Sequence, residues 1–277
     1  YKFNDNFDSR IRLELNSPGD FKTKDTIKAF LKDGYLAYKK GNHKIIIGLS
    51  PSPTWEFIEE FWMYRSAEKP PLDLYKLGSS RDIGIAFKGA FDADKTFSYH
   101  IFIGNGEGDK SEINKSKKIM SSLLFNFAKN IYFELYADYV LGEGSKNNSV
   151  IQGFLGYKRE NFRIGLSFSH IKIEQVANIE KLNLNVASLF LIFNPTDKIS
   201  AFARLDKVDK PLPWGTSISY APFNNSYAFT NFIAGMDFKI LQSISIIPNI
   251  MIVKYDESDI KPVNNDFYAK LTFFYKW

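Results

Sequence analysis

The chain contains no cysteine. Disulfides, thiolate nucleophiles and cysteine-ligated metal sites are therefore excluded. The three histidines, His43, His100 and His170, are too few and too scattered for a metal site. No metal or cofactor is expected. A Gly-x-Ser-x-Gly elbow and a phosphate-cradling glycine loop are both missing. Ser98 and His100 stand close in sequence but share the parity of the polar face, and His170 has no nucleophile beside it on its own face. No catalytic residue is assigned, and the expected function involves no reaction. Apolar runs are short as well. The longest, Ala187 to Phe193 and Ile244 to Val253, are interrupted and strand-sized, well below the ~18 residues of a membrane helix. The formal charge of +5 over 277 residues is modest, and the basic residues are scattered, so no nucleic-acid partner is expected.

What the chain has is alternation. Aromatics make up 16% of it, mostly Phe and Tyr. In its final stretch Phe267, Ala269, Leu271, Phe273, Tyr275 and Trp277 take one parity, while Tyr268, Lys270, Thr272, Phe274 and Lys276 fall on the other. Successive side chains of a strand point to opposite faces, so one face is apolar and the other mixed and basic. Ile131 to Leu141 repeats the pattern, with Ile131, Phe133, Leu135, Ala137, Tyr139 and Leu141 opposing Tyr132, Glu134, Tyr136 and Asp138. About fourteen such segments (range 12–16) can be marked. Their connections alternate short and long, as in a transmembrane antiparallel β-barrel with tight turns at one end and loops at the other. A soluble sandwich has no reason to sort its connections in this way. The chain is expected to form one barrel domain over residues 1–277, with the last strand closing against the first and Trp277 as an interface anchor. Pro248, on the apolar parity of a strand, is expected at a bulge or a weakly bonded position near a rim. The aromatic ending resembles the C-terminal signal of bacterial outer-membrane proteins, which implies that location, with outer-membrane lipid and lipopolysaccharide as surroundings.

One connection differs from the rest. After the third strand, residues 51–80 form an insertion in which Trp55, Ile58, Phe61 and Trp62 recur at helical spacing behind Thr54, a residue suited to capping a helix. The helix is expected over Trp55 to Tyr64 and ends where Ser66 to Pro71 break it. An insertion of this size can fold into a barrel and narrow it. The candidate lining of such a constriction is Glu56, Glu59, Glu60, Arg65 and Lys69 from the insertion. Arg81, Asp82, Lys88, Glu134, Asp138, Arg163, Arg204 and Lys270 come from strand positions opposite the apolar parity. A water-filled lumen tolerates such residues, whereas a dry core does not. The same residues can instead pair across neighbouring strands and stiffen the wall, and Arg81 beside Asp82 can anchor the base of the insertion.

Gly48-Leu49-Ser50-Pro51, the aromatic–acidic segment ending in Tyr64-Arg65, and Ser79-Ser80-Arg81-Asp82-Ile83-Gly84 at the start of a strand together resemble the phosphate-selective porin O and P-like family. The resemblance implies an outer-membrane porin, a homotrimer with an inward constriction loop, passing small hydrophilic solutes or inorganic ions by diffusion, often anions. The phosphate-selective members cluster basic residues at the constriction, whereas this insertion mixes Glu56, Glu59 and Glu60 with Arg65, Lys69 and Lys76. Phosphate selectivity is therefore not implied, and at most a weak anion preference is expected. The rival expectation is a plugged barrel acting as a surface scaffold, adhesion or partner-binding protein, since Phe and Tyr occur on both parities.

Overall fold

The structure, a computed structural model, describes all residues except 17–27, 111, 113, 143–146, 175–180, 213–223, 225, 257–262 and 277. Fourteen strands form a single antiparallel sheet in sequence order. They are β1 (Phe7–Asn16), β2 (Lys28–Lys40), β3 (His43–Pro51), β4 (Arg81–Ala90), β5 (Phe97–Gly104), β6 (Lys117–Ala128) and β7 (Ile131–Leu141). The second half comprises β8 (Asn148–Arg159), β9 (Phe162–Ile173), β10 (Leu182–Phe193), β11 (Ile199–Val208), β12 (Phe229–Leu241), β13 (Ile244–Tyr255) and β14 (Asp266–Tyr275). Two short helices, α1 (Glu56–Trp62) and α2 (Pro71–Leu74), lie in the connection between β3 and β4. The short connections run from two residues (41–42) to six (91–96), and the longest loop spans 52–80.

The wall is that of a β-barrel, apolar outside. Along β9, Ile164, Leu166 and Phe168 are exposed while Gly165, Ser167, Ser169 and Ile171 between them are buried. In β1 the same outward parity leaves Ile11, Leu13 and Leu15 exposed. Inverted burial of this kind, with leucines out and serines in, is stable where the outer solvent is lipid. Within β3, Gly48 sits at φ +122°, and a Cβ there would come within 2.4 Å of the Gly34 carbonyl oxygen, so the position requires glycine.

Several local expectations are corrected. Thr54 does not cap α1. Its hydroxyl donates to the Ser79 carbonyl at 3.1 Å and lies 3.0 Å from the Tyr136 hydroxyl, so tertiary partners have taken it. The helix ends at Trp62, where Met63 at φ 63° adopts the left-handed cap conformation. The Pro70-Pro71 pair does not merely interrupt the insertion; Pro71 opens α2, a position where its missing N–H costs nothing. Of the two places expected for Pro248, it takes the weakly bonded one and not a bulge. It keeps register with Leu271 of β14, and the recorded β12–β13 pairing lapses between Gly235↔Asn249 and Phe238↔Ile246, on the side where proline has no N–H to give.

The expected closure of the last strand against the first is also absent. Among the described residues β1 pairs only with β2 and β14 only with β13, leaving a seam in the wall. Unpaired backbone groups cannot face hydrocarbon, so both edges must be covered by strand pairing when the barrel is in a bilayer. Trp277 lies outside the described residues.

Candidate functional site

The inserted loop folds into the barrel as an aromatic ridge packed against one side of the wall. Trp55, Ile58, Phe61, Trp62 and Tyr64 are at most 4% exposed. Phe61 meets Phe154 of β8 with ring centroids 5.2 Å apart, Trp62 meets Phe190 of β10 at 5.1 Å, and Tyr64 stacks on Phe202 of β11 at 4.3 Å. Gly156 on β8 makes room for this ridge, since a Cβ there would lie 2.7 Å from the Phe61 ring. From α2, Tyr75 packs on Phe229 and donates its hydroxyl proton to Asp206 at 2.8 Å. Edge-on and offset aromatic contacts each add to the burial of large apolar area, so the ridge is the main attachment of the loop.

Because the ridge covers the inner face of β8–β12, open space remains on the opposite side. A cavity of about 470 Å³ lies between the loop and the first strands, lined by Arg12, Glu14, Lys32, Glu56, Glu59, Arg65 and Arg81. That is far more than the ~15 Å³ that holds one water. A smaller cavity of about 260 Å³ continues towards the short-turn end past Glu56, Glu60, Lys88, His100 and Glu134. Carboxylates sit on the loop side of this space. Around the larger cavity the strand side has a basic excess, Arg12, Lys32 and Arg81 against Glu14.

On the loop side, Glu56 is bonded by the Lys88 ammonium at 2.6 Å and by His100 Nδ1 at 3.1 Å. Burial raises the Glu56 carboxyl, but the His100 bond and the Lys88 charge outweigh it and hold the group at about 2. Glu59 lies beside Arg65, yet burial pushes its carboxyl above the ordinary range. Arg65 also pairs with Asp73. Burial alone lowers the Arg65 guanidinium, but the two carboxylates more than compensate and raise it. On the strand side Arg10, Arg12 and Arg81 converge on the fully buried Asp33 at 3.2, 3.0 and 2.9 Å.

The residues proposed from sequence thus separate by position. Glu56, Glu59, Arg65 and Arg81 border the larger cavity, while Glu60, Lys88 and Glu134 border the smaller one. Lys69 and Lys270 meet near the seam, where Lys270 bonds the buried Glu68 at 3.0 Å. The others hold the wall and the loop together. Asp82 accepts from the Ile83 and Gly106 amides. Asp138 binds Lys118 and the Tyr136 hydroxyl. Arg163 reaches the Phe61 carbonyl, and Arg204 lies under Trp62, donating to the Lys69 carbonyl at 2.8 Å beside Asp206. Sequence reasoning missed Asp33, Lys32, Glu68 and Asp73. The one available signal was Lys32-Asp33-Gly34, a polar interruption in β2, where the register shifts between Arg12↔Asp33 and Leu13↔Leu31.

A barrel of consecutive antiparallel strands has known counterparts among solved structures. The loop-L8 deletion variant of OmpT, an outer-membrane protein of Vibrio cholerae, is similar over all of this chain and 88% of its own, with TM-score 0.67 and 13% identity. The fold is that of the outer-membrane porins. OmpF of Salmonella typhi, in complex with daunomycin, is similar over 99% of this chain and 86% of its own, with TM-score 0.65 and 10% identity. The anion-selective porin of Comamonas acidovorans is similar over 88% of this chain and 73% of its own, with TM-score 0.60 and 10% identity. No family model matches the chain, and no curated protein matches it in sequence.

Proposed function

We propose that this chain is a bacterial outer-membrane porin that lets small hydrophilic solutes and ions diffuse through a lumen narrowed by its inserted loop. The observation that carries the proposal is the polar cavity of about 470 Å³ between an acidic loop face and a basic strand face, inside an apolar-outside barrel. Opposite charges across a narrow aqueous path orient polar solutes, and lining charge sets the preference between cations and anions. Three arginines share the single carboxylate of Asp33, so the strand side keeps a positive excess and a weak anion preference follows. Transport is passive, and no lining residue is assigned a chemical step.

The surroundings we propose are outer-membrane lipid and lipopolysaccharide. We also propose a homotrimer, consistent with the trimer form described for OmpT of Vibrio cholerae. A second reading, a plugged barrel serving as a scaffold or adhesion protein, is favoured by the aromatic fill around Phe154, Phe190 and Phe202. Planar-bilayer recording separates the two. The porin reading predicts stepwise conductance from the native chain and larger steps after deletion of Thr54 to Pro71. If neither protein gave steps, it would be wrong.

A further inference from the structure

We propose that Asp33 is a positioning residue that determines ion preference, gathering Arg10, Arg12 and Arg81 into one cluster and setting its net charge at two. The inference deepens the channel reading and rests on it. Asp33 lies on β2 directly opposite Arg12 of β1, immediately before the register shift. Arg81 comes from the start of β4, where the inserted loop rejoins the wall. One carboxylate thus ties two separate strands to the base of the constriction.

The geometry explains why this carboxylate is needed. Its side chain has no solvent exposure, and each arginine approaches it through Nε. The side chains of Arg10 and Arg12 remain 50% and 38% exposed. Arg12 and Arg81 both border the larger cavity. Three guanidinium charges around one point repel each other strongly in a medium less polar than water. With Asp33 they stay gathered, and two positive charges remain beside the path. Nearby, Lys32 and Glu14 pair at 3.2 Å and add no net charge.

The test is the chloride-to-potassium permeability ratio, measured from reversal potentials of the full chain in planar bilayers. Asp33→Asn is nearly isosteric and removes one negative charge, so the arginines, still fixed to β1 and β4, carry three charges beside the path even where repulsion spreads their side chains. The ratio is expected to rise on the order of twofold to threefold, the effect of one added charge within a Debye length of the path. Arg10→Gln is expected to lower the ratio by a similar factor. The Arg10→Gln/Asp33→Asn double variant, again with two net charges, is expected to return close to the native ratio. A purely structural role for Asp33 changes folding yield or conductance without this ordering. An unchanged or lower ratio in folded Asp33→Asn overturns the proposal. Should that variant not fold, equal ratios in Arg10→Gln and the double variant overturn it. A native chain that passes no current is a different result, refuting the channel reading itself.

Discussion

Replacing Trp62 by alanine tests whether the aromatic ridge holds the constriction in place. The indole has no solvent exposure and lies between Phe190 and Phe202, at 5.1 and 5.6 Å. The Arg204 guanidinium sits over its ring at 5.0 Å, and Nε1 donates to the Glu68 carbonyl at 2.8 Å. Truncating a buried aromatic of this kind costs about 3–5 kcal/mol. Loss of the hydrogen bond and of the cation–π contact is largely contained in that figure, because neighbouring effects do not add. At 1.4 kcal/mol per tenfold, ~4 kcal/mol shifts the docked-to-undocked ratio of the loop by about a thousandfold. The wall is held separately, by its strand ladders, and stays folded. Single-channel recording of Trp62→Ala is therefore expected to show flickering and a higher mean conductance, while Trp62→Phe stays closer to native. A Trp62→Ala channel with native conductance and native noise would refute the attachment argued for the loop.

Three further outcomes follow from the same contacts. The Glu59 carboxyl lies above its ordinary value of 4.5 and Glu56 is held at about 2, so as pH falls Glu59 loses its charge first. Anion preference is expected to rise first as pH drops through the raised Glu59 value, above 4.5, and again near pH 2. In folding terms, Glu59 favours the native state increasingly as pH falls through its raised value. The contribution of Glu56, present above 4.5, is lost on the way down to about 2. Reversal potentials across a pH series check the charge order, and a single step near 4.5 contradicts it. Gly156→Val drives a side chain into the Phe61 ring, an overpacking cost of about 1–3 kcal/mol that should lower the denaturation midpoint. An unchanged midpoint means that Phe61 does not pack there. The free edges of β1 and β14 must be paired in a bilayer, so their amides are expected to exchange as slowly as those of β8 and β9 in lipid nanodiscs. Loop-like exchange along either edge contradicts that requirement.

The strands were legible because lipid outside and water inside impose a period-two pattern on every crossing. Ile131 to Leu141, marked by six apolar residues on one parity, is β7 to the residue. The inserted helix was legible from the spacing of Trp55, Ile58, Phe61 and Trp62, which is one buried face of a short helix. What failed was non-local. Thr54 looked like a cap until Ser79 and Tyr136 took its hydroxyl. Lumen parity could not separate Arg81, beside the open cavity, from Arg204, sealed under Trp62, because only the folded loop distinguishes them. Asp33 was overlooked because its three partners come from β1 and β4, and the polar interruption Lys32-Asp33-Gly34 in β2 does not say which residues they are. The seam was equally invisible, since the pairing of first and last strands leaves no local mark on either.

The proposed channel narrows between the loop face that carries Glu56 and Glu59 and the arginine-rich strand face. The most direct measurement is the reversal potential of the purified native chain in a planar bilayer under a potassium chloride gradient. Stepwise current is expected, reversing at a potential of the sign set by chloride. No steps, or a reversal set by potassium, would contradict it.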